Sequence, residues 1–143
     1  MQLWLYTPYG HVPCGIIDEY DGLTIIHRAV KAGEIEFTCA LGDVTKLICT
    51  NALIWPQGDE TAFLVTTCEK YTDDTGEETV SVKGYCLKRL LEQRVLPAAK
   101  TYRGKSGAIL YRMLAALTGA RAFPRFYWQI DTELGDDITI EAT

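Results

Sequence analysis

The sequence carries no surplus of positive charge. Its 14 Lys and Arg stand against 19 Asp and Glu, a formal net charge of −5, whereas a chain built to grip a phosphate backbone shows the opposite balance. Long apolar runs are missing too. None approaches the roughly 18 residues of a membrane span, and the opening MQLWLYTPYGHVP has neither the basic nor the apolar region of a signal peptide. Histidine is limited to His11 and His27. The cysteines, at 14, 39, 49, 68 and 86, are odd in number and form no CxxC. That argues against a secreted disulfide framework and for reduced thiols packed as small apolar residues. Repeats and low-complexity linkers are absent. What is present, 143 residues of which 48% are hydrophobic, suffices for one domain with a real core.

Period-two alternation dominates the first half. QLWLY (2–6) reads as a strand with Leu3 and Leu5 on one face, Trp4 and Tyr6 on the other. TPYGHVPCG is turn chemistry, and GIIDEY (15–20) is a short strand. Residues 23–41 give two strands across a KAG turn, with Ile35, Phe37 and Cys39 facing one way and Glu34, Glu36 and Thr38 the other. In GDVTKLICTNA, Asp43 is placed to cap one or two helical turns carrying Val44, Leu47 and Ile48. ALIW (52–55) is a strand stopped by Pro56. Segments 61–72 and 78–85 flank a polar loop containing Gly76, the clearest hairpin in the chain. Val80 and Val82 share a face there, and Ser81 and Lys83 the other.

Gly84 then reads as the end of the strand and the site of a bend. Leu87, Leu90 and Leu91 follow at helical spacing, until Pro97. AAKTYRGK reads as a loop, and Ser106 as the N-cap of a helix over 107–118 whose apolar side is Ile109, Leu110, Met113, Leu114 and Leu117, with Gly119 as its stop. FYWQI (126–130) and DITIEA (137–142) complete the strands around an acidic turn. The order is not a regular βαβ alternation. It describes an α+β, β-rich chain with two to three short flanking helices. A chain that stops inside a strand reads as a piece of something longer.

Several patterns carry possible chemistry. GKSG (104–107) resembles the end of a phosphate-binding loop, but position 99 is Ala where the GxxxxGK[ST] pattern needs Gly, and no strand is expected to feed it. His11 and Cys14 supply half of a zinc set at most. Cys86 or Cys39 with His27 would make a nucleophile pair without a local signature. Asp73, Asp74, Glu77 and Glu78 miss the calcium-loop spacing and read as a solvated turn. The aromatics Trp4, Tyr6, Tyr9, Trp55, Phe126, Tyr127 and Trp128 suit core and interface packing, and RAFPRFYW (121–128) alone sets them beside basic residues, as base stacking requires. No catalytic, cofactor or metal residue is assigned.

The order of pieces resembles the N-terminal region of siphophage and prophage minor structural proteins of the tail hub. Their TVxVKG step running into LxxxLxxR is similar to Thr79, Val80, Val82, Lys83 and Gly84 followed by Leu87, Leu91 and Arg94. Their opening is similar to IIDEYDGLTIIHRAVKAGEIEFTC (16–39). The resemblance implies a mostly antiparallel, barrel-like or split-barrel sheet, and a virion part rather than an enzyme. It implies self-association into a ring at the tail tip or baseplate, and docking to proteins of the distal-tail and tape-measure type, with no cofactor and no membrane. Lys88, Arg89, Glu92, Arg94 and Arg112 are the expected subunit contacts, and the strands at 2–6 and 137–142 are expected edges. The rival readings are a nucleic-acid contact through Lys83, Lys88, Arg89, Arg94, Arg121 and Arg125, and a cysteine-dependent hydrolase.

Overall fold

Strands account for most of the regular structure, and every strand pair is antiparallel. The computed structural model describes residues 1–9, 12–72, 74–92, 100–117 and 130–142. They fall into two units, Met1–Leu91 and Glu92–Thr143.

The first unit contains β1 (Leu3–Tyr6), β2 (Pro13–Ile17), β3 (Asp21–Ile26), β4 (Glu34–Ala40), β5 (Leu53–Pro56), β6 (Phe63–Thr72) and β7 (Glu78–Cys86). They form one sheet in the order β2-β1-β5-β6-β7-β4-β3. The expected alternation holds residue by residue. Leu3, Leu5, Ile35, Phe37, Cys39, Val80 and Val82 are buried in one core with Ile17, Phe63 and Val65. Burying each large side chain contributes about 1.5–3 kcal/mol. β1 is not an edge, contrary to expectation, because β5 returns to pair with it from Leu53 to Pro56. The edges are β2 and β3, and both are interrupted. β2 starts at Pro13 beside a register shift at Leu5/Tyr6, and β3 shifts register between Asp21 and Thr24 around Gly22. Such breaks discourage pairing with another sheet.

The sheet curls. Tyr20 stands edge-on to Phe37 of β4, ring centroids 6.1 Å apart, while its hydroxyl donates to the Met1 carbonyl beside β1. In the strand order β1 and β4 lie four steps apart, about 19 Å in a flat sheet. One tyrosine side chain does not bridge that distance. No closed barrel forms among the described residues: β2 pairs with β1 and β3 with β4, and the two edges do not join.

Gly84 neither ends β7 nor bends the chain. β7 continues to Cys86, with Gly84 opposite Ile35 on one side and Val65 on the other. A Cβ there would meet the Leu64 carbonyl oxygen at 2.7 Å. The irregularity lies instead in β6, where Val65 pairs with Gly84 and Thr67 with Lys83, leaving Thr66 as the extra residue of a β-bulge. Glycine is therefore a requirement of close backbone approach, not of a turn.

The turn after β4 also differs from expectation. It is a single 3-10 turn, Thr45–Leu47, without a side-chain cap. Asp43 pairs with Lys46 at 2.7 Å instead. The buried Thr45 hydroxyl clamps the corner by donating to the Ala40 carbonyl and accepting the Gly42 N–H. After β7 a one-turn helix, α1 (Lys88–Glu92), spans the boundary between the units.

The second unit holds β8 (Lys100–Lys105), α2 (Ser106–Leu117) and β9 (Asp137–Ala142). The stretch expected as a loop is thus a strand, paired with β9 through six consecutive residues. Tyr102 is its buried anchor, and Ile109 and Leu114 are the buried hydrophobic residues among those described in α2. Leu110 is exposed, so the apolar stripe is narrower than expected. Ser106 opens α2 without capping it: its hydroxyl donates to the Leu134 carbonyl. Pro97, Gly119 and residues 126–129 of the strand expected at 126–130 lie outside the described residues, and Ile130 is not in a strand.

Gly84→Ala should lower stability by roughly 1–3 kcal/mol, the cost of forcing a methyl against fixed backbone. Thermal or urea unfolding measures it. A variant as stable as the parent would show that β6 and β7 are not held this close.

Candidate contact surfaces

The basic stretch of the sequence leads to the outer face of β4 and β7. Lys83 lies directly opposite Glu36, Nζ to Oε1 2.9 Å. Hydrogen bonding to Glu36, reinforced by its charge, holds the Lys83 ammonium above its usual range. Arg28, in the loop after β3, pairs with Glu34 at 2.8 Å. Lys88 donates to the Arg28 carbonyl at 3.2 Å, and the Arg89 guanidinium lies 4.7 Å from the centre of the Tyr85 ring. Cations and carboxylates alternate across this surface. A phosphate backbone is gripped by a patch of one sign, so the mixed pattern disfavours the nucleic-acid reading for Lys83, Lys88 and Arg89. Arg94, Arg121 and Arg125 lie outside the described residues.

The expected contact residues are divided between the two units. Lys88, Arg89 and Glu92 share α1 and are exposed. Arg112 belongs to α2 in the second unit, where Nη2 donates to the Arg103 carbonyl at 2.6 Å and Nε to that of Ala108 at 3.3 Å. It ties α2 to β8. Sequence reasoning missed the Glu36–Lys83 pair. Both residues had been placed on outward positions, but their juxtaposition depends on the β4–β7 register. It also missed Val30, 94% exposed at the tip of the loop that Lys88 holds.

The GKSG segment does have a strand feeding it, contrary to expectation, since β8 ends at Lys105 and α2 begins at Ser106. The N–H groups that would cradle a phosphate are nevertheless taken. Ser106 N–H bonds the Asp136 carbonyl and Gly107 N–H that of Leu134. A Cβ on Gly107 would lie 2.1 Å from the Asp131 carbonyl oxygen. These residues pack the acidic turn onto the helix start, and Lys105 joins in through Glu133.

Four of the five thiols meet backbone groups, and Cys49 is exposed. Cys14 donates to the Leu5 carbonyl and Cys68 to that of Ile48, Cys39 lies near that of Val80, and Cys86 Sγ accepts the Gly33 N–H. His27 Nε2 lies 3.0 Å from Asp59 Oδ2, its ring tilted against Phe63. No Cys–His hydrogen bond occurs among the described residues, and His11 is not among them. Burial pushes the Cys39 thiol up to about 11, with the nearby Cys68 adding to it. Burial raises Cys14 and Cys68 likewise. Nucleophilic thiols are shifted the other way.

The outer face of the other half of the sheet is aromatic. Trp4 lies opposite Trp55 on β5 and Ile16 on β2, with Tyr6 on the same face. These side chains are half-buried. The Trp4 indole N–H is buried without a partner among the described residues, whereas that of Trp55 donates to the Asp59 carbonyl. Tyr9 is exposed, and Phe126, Tyr127 and Trp128 are not among the described residues.

No family model matches the chain, and no curated protein matches it. Among solved structures it is similar to prophage tail protein gp18 from Listeria monocytogenes EGD-e, with a TM-score of 0.67 and 14% identity. The match covers 99% of this chain and 41% of that one. At this identity the likeness is one of fold, and the chain spans less than half the length of that protein.

The raised Cys39 thiol sets a pH dependence. Below pH 9 the thiol is protonated folded and unfolded. As pH rises from 9.0 toward about 11, the unfolded thiol ionises while the native one keeps its proton, so stability falls. The expected loss is up to about 2–3 kcal/mol, read from urea unfolding between pH 8 and 11. Cys39→Val should flatten that slope, and an unchanged slope would assign it to other groups.

Proposed function

We propose that the chain is a structural component of a phage or prophage tail, working at the tail tip or baseplate hub by self-association and by docking other tail proteins. The fold likeness to a prophage tail protein along nearly the whole chain carries this reading. The tail-hub motifs in 16–39 and 63–96 support it, as does a surface of interleaved charges and half-buried aromatics suited to protein contact. In this reading residues 1–143 act as one N-terminal hub-like domain, and the curled sheet is a split barrel open between β2 and β3. The role is structural, not catalytic. The protein is made in the bacterial cytoplasm and resides in the virion, against partners of the distal-tail and tape-measure type.

Self-association is assigned to the α1 end, with Lys88, Arg89 and Glu92, and with Arg94 and Arg112 as further contact candidates. The mixed charges there favour a specific register between copies over raw affinity.

Native mass spectrometry of the chain should show a homo-oligomer. Lys88→Glu with Arg89→Glu should weaken it at least tenfold while the melting temperature stays near that of the parent. Antibody labelling of particles should mark the tail tip. A strictly monomeric chain together with unlabelled tails would overturn the proposal.

A further inference from the structure

Among the described residues the two-stranded sheet has one open edge, and its chemistry specifies what pairs there. The Ser106 N–H bond to the Asp136 carbonyl, 3.1 Å, fixes the phase of the β8–β9 ladder. Lys105 and Asp137 are then a non-hydrogen-bonded pair, so Lys100, Tyr102 and Gly104 bond to β9. The backbone groups of Thr101, Arg103 and Lys105 point to one outer edge, and those of Asp137, Thr139 and Glu141 to the other. The β8 edge is obstructed, because Arg112 occupies the Arg103 carbonyl. Nothing among the described residues occupies the β9 edge. Asp137, Ile138, Thr139 and Glu141 are exposed, and β9 has neither proline nor bulge. A two-stranded ribbon is marginal by itself; α2 is tied to β8, and a third strand at β9 would extend the sheet on its other side.

We propose that the β9 edge binds an extended segment of a different protein, one that alternates basic and apolar residues and adds as an antiparallel third strand. This deepens the docking role proposed above and rests on it for the identity of the partner as a tail protein. Asp137 and Glu141 lie on one face of β9, neither with an ion-pair partner among the described residues. Lysine or arginine directly opposite them completes cross-strand charge pairs. On the other face Ile138 and Ile140 continue the apolar surface of Tyr102, so the intervening positions of the added strand are apolar. A second copy of this chain fits poorly. β9 against β9 sets carboxylates together. β2 and β3, the other edges, carry no Lys or Arg and are interrupted, and β8 is blocked. Main-chain hydrogen bonds supply affinity in this mode, and the alternating side chains supply specificity.

The test uses the whole chain and two peptides, Arg-Val-Thr-Val-Arg and Glu-Val-Thr-Val-Glu, with amide shifts read by NMR. The basic peptide should bind at least tenfold more tightly and shift the amides of Asp137, Thr139 and Glu141 most. Thr139→Pro removes an outward N–H without touching the ladder to β8, and should abolish binding. Asp137→Lys with Glu141→Lys should reverse the preference between the peptides, a check that does not depend on how the proline variant folds. Equal binding of both peptides, no binding at millimolar basic peptide, or full binding by Thr139→Pro would overturn the proposal. So would shifts of residues 137–141 with chain concentration alone, which would assign the edge to a second copy. Peptide binding is read on the chain itself, so its failure is distinct from unlabelled tails.

Discussion

β7 is the strand on which the first unit depends. It pairs with β4 through seven consecutive residues on one side and with β6 along its whole length on the other. Both ladders run past Gly84, where the Leu64 carbonyl leaves no room for a side chain. At its end, the Cys86 N–H bonds the Gly33 carbonyl and the Cys86 sulfur accepts the Gly33 N–H. The loop carrying Arg28 and Val30 is thereby hooked to the strand that carries Lys83. The Lys83–Glu36 pair inherits its geometry from this one strand. Its two charges are positioned by backbone pairing, which costs less entropy than ordering long side chains on a mobile support.

How much of this was legible depended on how local the cause was. The alternation at Ile35, Phe37, Cys39, Val80 and Val82 is a property of neighbouring residues, and so is the β6–β7 hairpin. Both were readable. Gly84 was recognised as special but for the wrong reason, because the atom that excludes a side chain belongs to Leu64, twenty positions earlier. β8 was unreadable as a strand. Among Lys100–Lys105 only Tyr102 is buried, and the strand exists because β9 lies beside it. β1 looked like an edge because β5, which covers it, follows some fifty residues later.

The surface was legible as composition and not as arrangement. Lys83 and Glu36 each occupied an outward position in the pattern, but their pairing required the β4–β7 register. Arg112 bonds the carbonyls of Arg103 and Ala108, an arrangement that the helical pattern does not encode. GKSG shows the same limit from the other side. Its resemblance to a phosphate loop is real in sequence, and the carbonyls that consume its N–H groups come from residues 134 and 136.

The separations between paired strands also order events in time. β6 and β7 close a loop of a few residues, whereas β4 meets β7 only after some forty residues have been drawn in, and β8 waits for β9 across more than thirty. Closing short loops is faster and costs less chain entropy. β1–β2 and β3–β4 close over loops nearly as short, but the β6–β7 ladder is the longest of these hairpins, and its amides are the ones expected to be protected first in pulsed hydrogen exchange during refolding. The bulge at Thr66 sits inside that hairpin, so the local twist it adds to β6 is set before most of the strands arrive.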